Sequence, residues 1–102
     1  KIENQLMNFI EIEQVMVYGD GKNYLVALII PNKEFKKENK KISAIVNKVN
    51  QNLTIVEKIK KFKLIEENFA IENGLLTPTM KVKRNKVILK YKNVLENFYK
   101  TS

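Results

Sequence analysis

One run, Tyr24-Leu25-Val26-Ala27-Leu28-Ile29-Ile30-Pro31, constrains this chain more than any other. No polar residue alternates with the apolar ones, so a strand here is buried on both faces and belongs at the centre of a sheet. Pro31, which has no backbone N–H to donate, ends it. The apolar part is also far too short to span a bilayer, which takes about 20 such residues. Just before it, Ile12-Glu13-Gln14-Val15-Met16-Val17-Tyr18 is rich in strand formers. Gly19-Asp20-Gly21-Lys22-Asn23 lies between the two runs as a turn cluster, so together they read as a hairpin.

The flanking segments read as its cover. Ile2, Leu6 and Phe9 share one helical face, which predicts a short helix over residues 1 to about 9. After a lysine-rich opening from Lys33 to Lys41, Ile42, Ile45, Val46 and Val49 follow the spacing of an amphipathic helix that stops near Gln51-Asn52. Thr54-Ile55-Val56-Glu57 fits a capping box and predicts a second short helix to about Lys61. Phe62-Lys63-Leu64-Ile65 reads as a third strand, too short to stand alone but able to pair with the hairpin. Val87, Tyr91, Val94, Leu95 and Phe98 mark the inner face of a final helix. The expected fold class is α+β, a three-stranded sheet (the antiparallel hairpin plus a third strand) packed by helices.

Between the third strand and the last helix lies Leu75-Leu76-Thr77-Pro78-Thr79-Met80-Lys81-Val82-Lys83-Arg84. It is approached through Glu72-Asn73-Gly74, and Asn-Gly is among the strongest turn signals. Pro78 denies Thr77 the helical region and removes a donor, so the stretch is a loop or a short extended hairpin. Asn85 offers an N-cap, with helical spacing from Lys86. Spacing alone makes this a connecting loop that carries Lys81 just ahead of a helix.

Composition narrows the chemistry. At 102 residues and 44% apolar, the chain reads as a single domain over residues 1–102, able to bury about 60–65% of its unfolded surface. It has no cysteine and no histidine, which removes disulfides, thiolate metal sites, a cysteine nucleophile and the usual base near neutral pH. No Gly-rich phosphate loop exists; the three glycines, 19, 21 and 74, lie in turns. No metal site is expected. The net charge of +8 raises the alternative of a non-catalytic basic module for nucleic acid or anionic membranes. Yet Arg84 is the only arginine, and base and bidentate phosphate recognition favour arginine's planar fork. The densest cluster, Lys58, Lys60, Lys61 and Lys63, is not interleaved by matched aromatics and reads as a solvated face rather than a phosphate patch. The first residue is Lys rather than Met, as expected of a piece of something larger.

Glu72-Asn73-Gly74-Leu75-Leu76-Thr77-Pro78-Thr79-Met80-Lys81-Val82-Lys83-Arg84 resembles the last signature of the adenylate-forming acyl-CoA synthetases, most closely in their long-chain fatty acid branch. Lys1-Ile2-Glu3-Asn4 resembles the end of the segment after that family's inter-domain hinge, and the hairpin resembles its first hairpin. The resemblance implies the family's mobile C-terminal lid domain. Lys81 would be the catalytic lysine of ATP-dependent acyl-adenylate formation, and the domain would then rotate for thioester formation with CoA. Gly74, Thr77, Pro78, Thr79 and Arg84 would support that loop; Met80 stands where short-chain relatives carry glycine. ATP, CoA and Mg2+ belong to the full-length enzyme, whose large N-terminal adenylate-forming domain would hold ATP, magnesium and the fatty acid. No CoA-contacting residue is assigned here, no cofactor is expected on this domain alone, and the domain alone is expected to be inactive. The expected setting is cytoplasmic, with peripheral attachment at the inner membrane open to it; the scarcity of arginine argues against a specific nucleic-acid partner, and the short apolar run against a transmembrane segment.

Overall fold

The structure, a computed structural model, describes residues 2–100. Lys1, with which both the first expected helix and the resemblance begin, lies outside the described residues. Contacts divide the chain into two compact units, one running to Glu67 and the other starting at Asn68.

The first unit contains α1 (Ile2–Met7), β1 (Ile12–Tyr18), β2 (Leu25–Pro31), α2 (Asn39–Asn50) and β3 (Ile59–Leu64), with single 3-10 turns at Lys33–Phe35 and Ile55–Glu57. The strands form one sheet in the order β1-β2-β3. The uninterrupted apolar strand is therefore central, antiparallel to β1 and parallel to β3. A parallel neighbour cannot follow through a tight turn, and α2 supplies the crossover that carries the chain back. Side chains alternate across the sheet. Val15, Val17, Ala27 and Ile29 pack in one core with Leu6 of α1 and with Ile42, Ile45, Val46 and Val49 of α2. On the opposite face Met16, Val26, Leu28 and Ile30 are also buried, none more than 1% exposed. Burial of β2 on both faces is thus as its composition predicts.

Two polar side chains finish the sheet where the ladder ends. The Glu3 carboxylate accepts the Val17 N–H at 2.8 Å, tying α1 to β1 and occupying a donor on the sheet's edge. The Asn50 amide at the end of α2 makes a reciprocal pair with Ile59, accepting its N–H at 2.9 Å and donating to its carbonyl at 2.9 Å. A side-chain amide has the same donor and acceptor as a peptide group, so Asn50 extends the hydrogen bonding at the start of β3.

The capping box at Thr54 forms, with the Glu57 carboxylate accepting from both the N–H and the hydroxyl of Thr54 at 3.3 and 3.2 Å. It closes only the turn Ile55–Glu57, not the helix to Lys61 that the sequence suggests. The physical reason is burial. Ile55 and Val56 are 81% and 75% exposed, so a helix there would have no apolar face to bury, whereas Ile59 in the strand is 3% exposed. The chain becomes extended at Lys58, and β3 takes residues from Ile59. Its pairing slips between Leu25–Ile59 and Val26–Lys61, which leaves Lys60 as an extra residue. Consecutive lysines then reach one ring: the Lys60 and Lys61 ammoniums stand 5.6 and 5.9 Å from the centre of Tyr24.

The second unit is an irregular run followed by α3 (Arg84–Lys90) and α4 (Lys92–Lys100). Phe69, Leu75, Leu76, Val87 and Leu95 are its buried side chains. The single last helix read from periodicity is broken at Tyr91 (φ −104°, ψ 26°). Hydrogen bonding runs through the break, with Tyr91 N–H donating to Val87 and Leu95 N–H donating to Tyr91, both at 2.9 Å. No Gly or Pro marks the bend, so the apolar period passes over it unchanged. Among the described residues the fold class is the expected α+β, a three-stranded sheet with helices; the sheet is mixed and the α-helices number four.

Asn50→Ala leaves both backbone groups of Ile59 unpaired beside a buried side chain. It is expected to cost about 1–3 kcal/mol in urea unfolding. Asn47→Ala, on the exposed side of the same helix, should change stability by no more than about 0.5 kcal/mol.

Candidate functional site

The organising loop is built from its approach onward. Gly74 takes φ +79°, a conformation that a side chain disfavours, and this lets the chain reverse after Ile71. Asn73 fastens the reversal. Its Oδ1 accepts from the N–H groups of Ala70 and Leu75 at 3.0 and 3.2 Å, and its Nδ2 donates to Asn68 O at 2.8 Å. The Ala70 carbonyl also accepts from Leu75 and Leu76, both at 3.1 Å. Leu75 and Leu76, 3% and 4% exposed, then anchor the loop's first arm.

The second arm returns alongside the first. Leu76 and Val82 form an antiparallel bridge, and Lys83 N–H donates to Leu75 O at 2.8 Å. At the tip, Met80 N–H donates to Thr77 O at 2.8 Å, closing a turn with Pro78 in its second position, where a fixed φ is favoured. Thr77 then clamps Lys81 twice. The Thr77 N–H donates to Lys81 O at 2.8 Å, and the Lys81 N–H donates to Thr77 Oγ1 at 3.0 Å. Thr77 Oγ1 also lies 3.0 Å from Thr79 Oγ1. Every residue of Thr-Pro-Thr therefore has a task in the turn, and of the loop or short extended hairpin that Pro78 implies the structure forms the hairpin.

This geometry separates backbone from side chain. The Lys81 backbone is pinned on both sides, while its side chain is exposed and its ammonium has no partner among the described residues. Pro78 and Thr79 are exposed, and Thr77 and Gly74 half-buried. Arg84 is exposed as the first residue of α3, so the helix starts two residues earlier than an Asn85 cap implies. Lys83 is the N-cap because its own N–H closes the hairpin and its carbonyl begins the helical hydrogen bonds, accepting from Lys86 and Val87 at 3.0 Å. Among the described residues, no cluster of carboxylates could hold a metal ion.

Two features escape sequence reasoning. Asn73 reads only as a turn residue, yet its side chain organises the approach; the Asn-Gly pair was the available signal. The other is a groove of about 410 Å³ between the turn residues Asn73, Gly74 and Leu75 and the N-cap Lys83 with the α3 side chains Lys86, Leu89 and Lys90. Lysines at that spacing read as a solvated helix face until a loop is known to lie beside them.

Known proteins share both the sequence and the fold. The family model described as AMP-binding enzyme C-terminal domain matches residues 1–102. A chloroplastic long-chain-fatty-acid–[acyl-carrier-protein] ligase of Arabidopsis thaliana is 32% identical over 97% of this chain and 15% of its own length. A long-chain-fatty-acid–CoA ligase of Mycobacterium tuberculosis, FadD15, is also 32% identical, over 96% of this chain and 20% of that protein. The adenylation domain of a carboxylate reductase from Mycobacterium chelonae superposes with a TM-score of 0.87 at 25% identity, covering 99% of this chain and 17% of that one. The chain thus spans a fifth or less of the length of these relatives.

Met80, at the hairpin tip, has φ 69° and is 65% exposed. A side chain there costs about 1–2 kcal/mol, partly offset in any glycine variant by about 0.5–1 kcal/mol of extra unfolded-chain entropy. Met80→Gly should therefore raise unfolding stability by about 0.5–1 kcal/mol, and Met80→Val should lower it. A denaturant midpoint that falls for the glycine variant would contradict the conformation of this turn.

Proposed function

The chain belongs to the AMP-binding enzyme family, as its C-terminal domain, and from that premise we propose that it supplies Lys81 as the adenylation lysine of a long-chain fatty acyl ligase. The observation that carries this reading is the separation at the hairpin tip, with the Lys81 backbone held by Thr77 on both sides and the side chain exposed. In the first half-reaction a fatty carboxylate oxygen attacks the α-phosphorus of ATP, and the bond to pyrophosphate breaks. Negative charge builds between carboxylate and phosphate. An ammonium brought there on a stiff base stabilises that charge without reorganising, and no general base is required. In the second half-reaction a thiol displaces AMP from the acyl-adenylate to give the thioester. The domain rotates between the two steps, a gating movement of the kind many enzymes use.

The acyl acceptor proposed is CoA, as in the similar mycobacterial ligase. A carrier-protein thiol is a second reading, favoured by the similarity to the plant ligase whose acceptor is acyl-carrier-protein. ATP, the fatty acid and Mg2+ are assigned to an N-terminal adenylate-forming domain. The residues here do not fit a magnesium site, since no metal-holding cluster exists among the described ones. The chain on its own is proposed to be catalytically inactive. Gly74, Thr77, Pro78 and Thr79 shape the loop, and Arg84 has a structural role at the start of α3. No helix among the described residues is long and apolar enough to cross a membrane. A cytoplasmic location with peripheral attachment at the inner membrane remains part of the proposal.

The test is Lys81→Ala in the full-length enzyme, with Lys83→Ala beside it. Loss of one preorganised donor is worth about 2.7–4 kcal/mol, so acyl-adenylate formation from ATP and fatty acid should fall roughly a hundred- to a thousand-fold. Thioester formation from preformed acyl-adenylate and CoA should change far less. Lys83→Ala, whose side chain shares the loop and charge, should leave adenylation nearly unchanged. Equal mild losses for both variants, or a Lys81 defect confined to the CoA step, would sink the assignment.

A further inference from the structure

We propose that the groove beside α3 is a docking surface for an acidic amphipathic helix of a separate protein. Charge is the first observation. Residues 80–100 hold seven basic side chains against one carboxylate, Glu96, and so carry net +6 of the chain's +8. Placement is the second. Lys83, Lys86 and Lys90 fall at i, i+3 and i+7 along one flank of α3 and form one wall of the groove, spread over about 10 Å. Lys90 also stands 5.9 Å from the centre of the Tyr91 ring, a contact that restrains its direction.

The third observation is an apolar centre among these cations. Leu89 is 70% exposed on the groove's wall, and Leu75, 3% exposed, lies beneath. An exposed leucine rimmed by charge has the anatomy of a protein interface, with a dehydrated middle and a polar edge. No carboxylate lines the groove. A volume of about 410 Å³ is enough to take one or two side chains of a convex partner. A bilayer offers no such projection, and a nucleic-acid backbone has no use for the leucine. The matching surface is a helix with carboxylates about one turn and two turns apart and an apolar residue between them.

The occupant proposed is the acidic helix of an acyl carrier protein, an identity that rests on the ligase reading with its carrier-protein acceptor. The test uses the chain, labelled with 15N, titrated with purified holo acyl carrier protein. Amide shifts are expected in residues 73–75 and 83–90, with affinity falling at least about tenfold between about 0.05 and 0.3 M salt. The triple variant Lys83→Glu/Lys86→Glu/Lys90→Glu should abolish binding. Lys58→Glu/Lys60→Glu/Lys63→Glu, an equal charge change in the first unit, should retain it within about twofold. Leu89→Ser alters no charge and no buried group, and should weaken binding by about tenfold. Equal losses for the two triple variants would reduce the effect to bulk charge and overturn the proposal. So would groove-dependent binding of phosphatidylglycerol vesicles without any carrier-protein binding, or the absence of shifts at millimolar partner. None of these readouts involves catalysis, so adenylation by Lys81 can stand or fall separately.

Discussion

The satisfaction of backbone hydrogen bonds around one buried strand underlies the first unit. With β2 buried on both faces, its N–H and C=O groups have no access to water and must be paired on both edges. β1 arrives by a turn and pairs antiparallel; β3 pairs parallel and so needs the α2 crossover. The polar residues that matter are those closing what the ladder leaves open. Glu3 takes the Val17 N–H, and Asn50 pairs with both groups of Ile59. A sheet this small has few hydrogen bonds to spare, and side chains provide the last of them.

The second unit applies the same rule to make a site rather than a core. Thr77 spends its N–H, its carbonyl and its hydroxyl on the turn, and Lys81 has its N–H and carbonyl taken up in return. The result is a rigid base under a flexible four-carbon stem. That combination suits electrostatic catalysis, in which the cation is delivered to a site by its backbone and only its stem adjusts. Met80 bears the cost, occupying a left-handed position that glycine would fill more comfortably.

The lysines are not equivalent once placed. Lys60 and Lys61 pack over Tyr24 because of a bulge, and Lys81 stands apart on its hairpin. Lys83, Lys86 and Lys90 line a groove with an exposed leucine between them. The reading of the charge as solvated helix face agrees with the exposure of Lys83, Lys86 and Lys90, and what it does not give is the groove they line. The cause is simple, since helical spacing tells which residues share a flank but not whether another segment lies beside it.

From its sequence alone the chain determines the hairpin with β2 at the centre, the apolar faces of α1, α2 and the last helical segment, the turn at Asn73-Gly74 and the family signature around Lys81. Each is local, resting on uninterrupted or periodic burial, a proline's missing donor, or a run of specific letters. Tertiary structure alone decided the extent of β3, the break at Tyr91, the helix start at Arg84 and the roles of Glu3, Asn50 and Asn73. In β3 the open edge of β2 and the burial of Ile59 outweighed a sound capping box, because Ile55 and Val56 had no core to face. At Arg84 the hairpin closed by Lys83 fixed where the helix could begin. These outcomes depend on partners distant in sequence, whose positions no local propensity encodes.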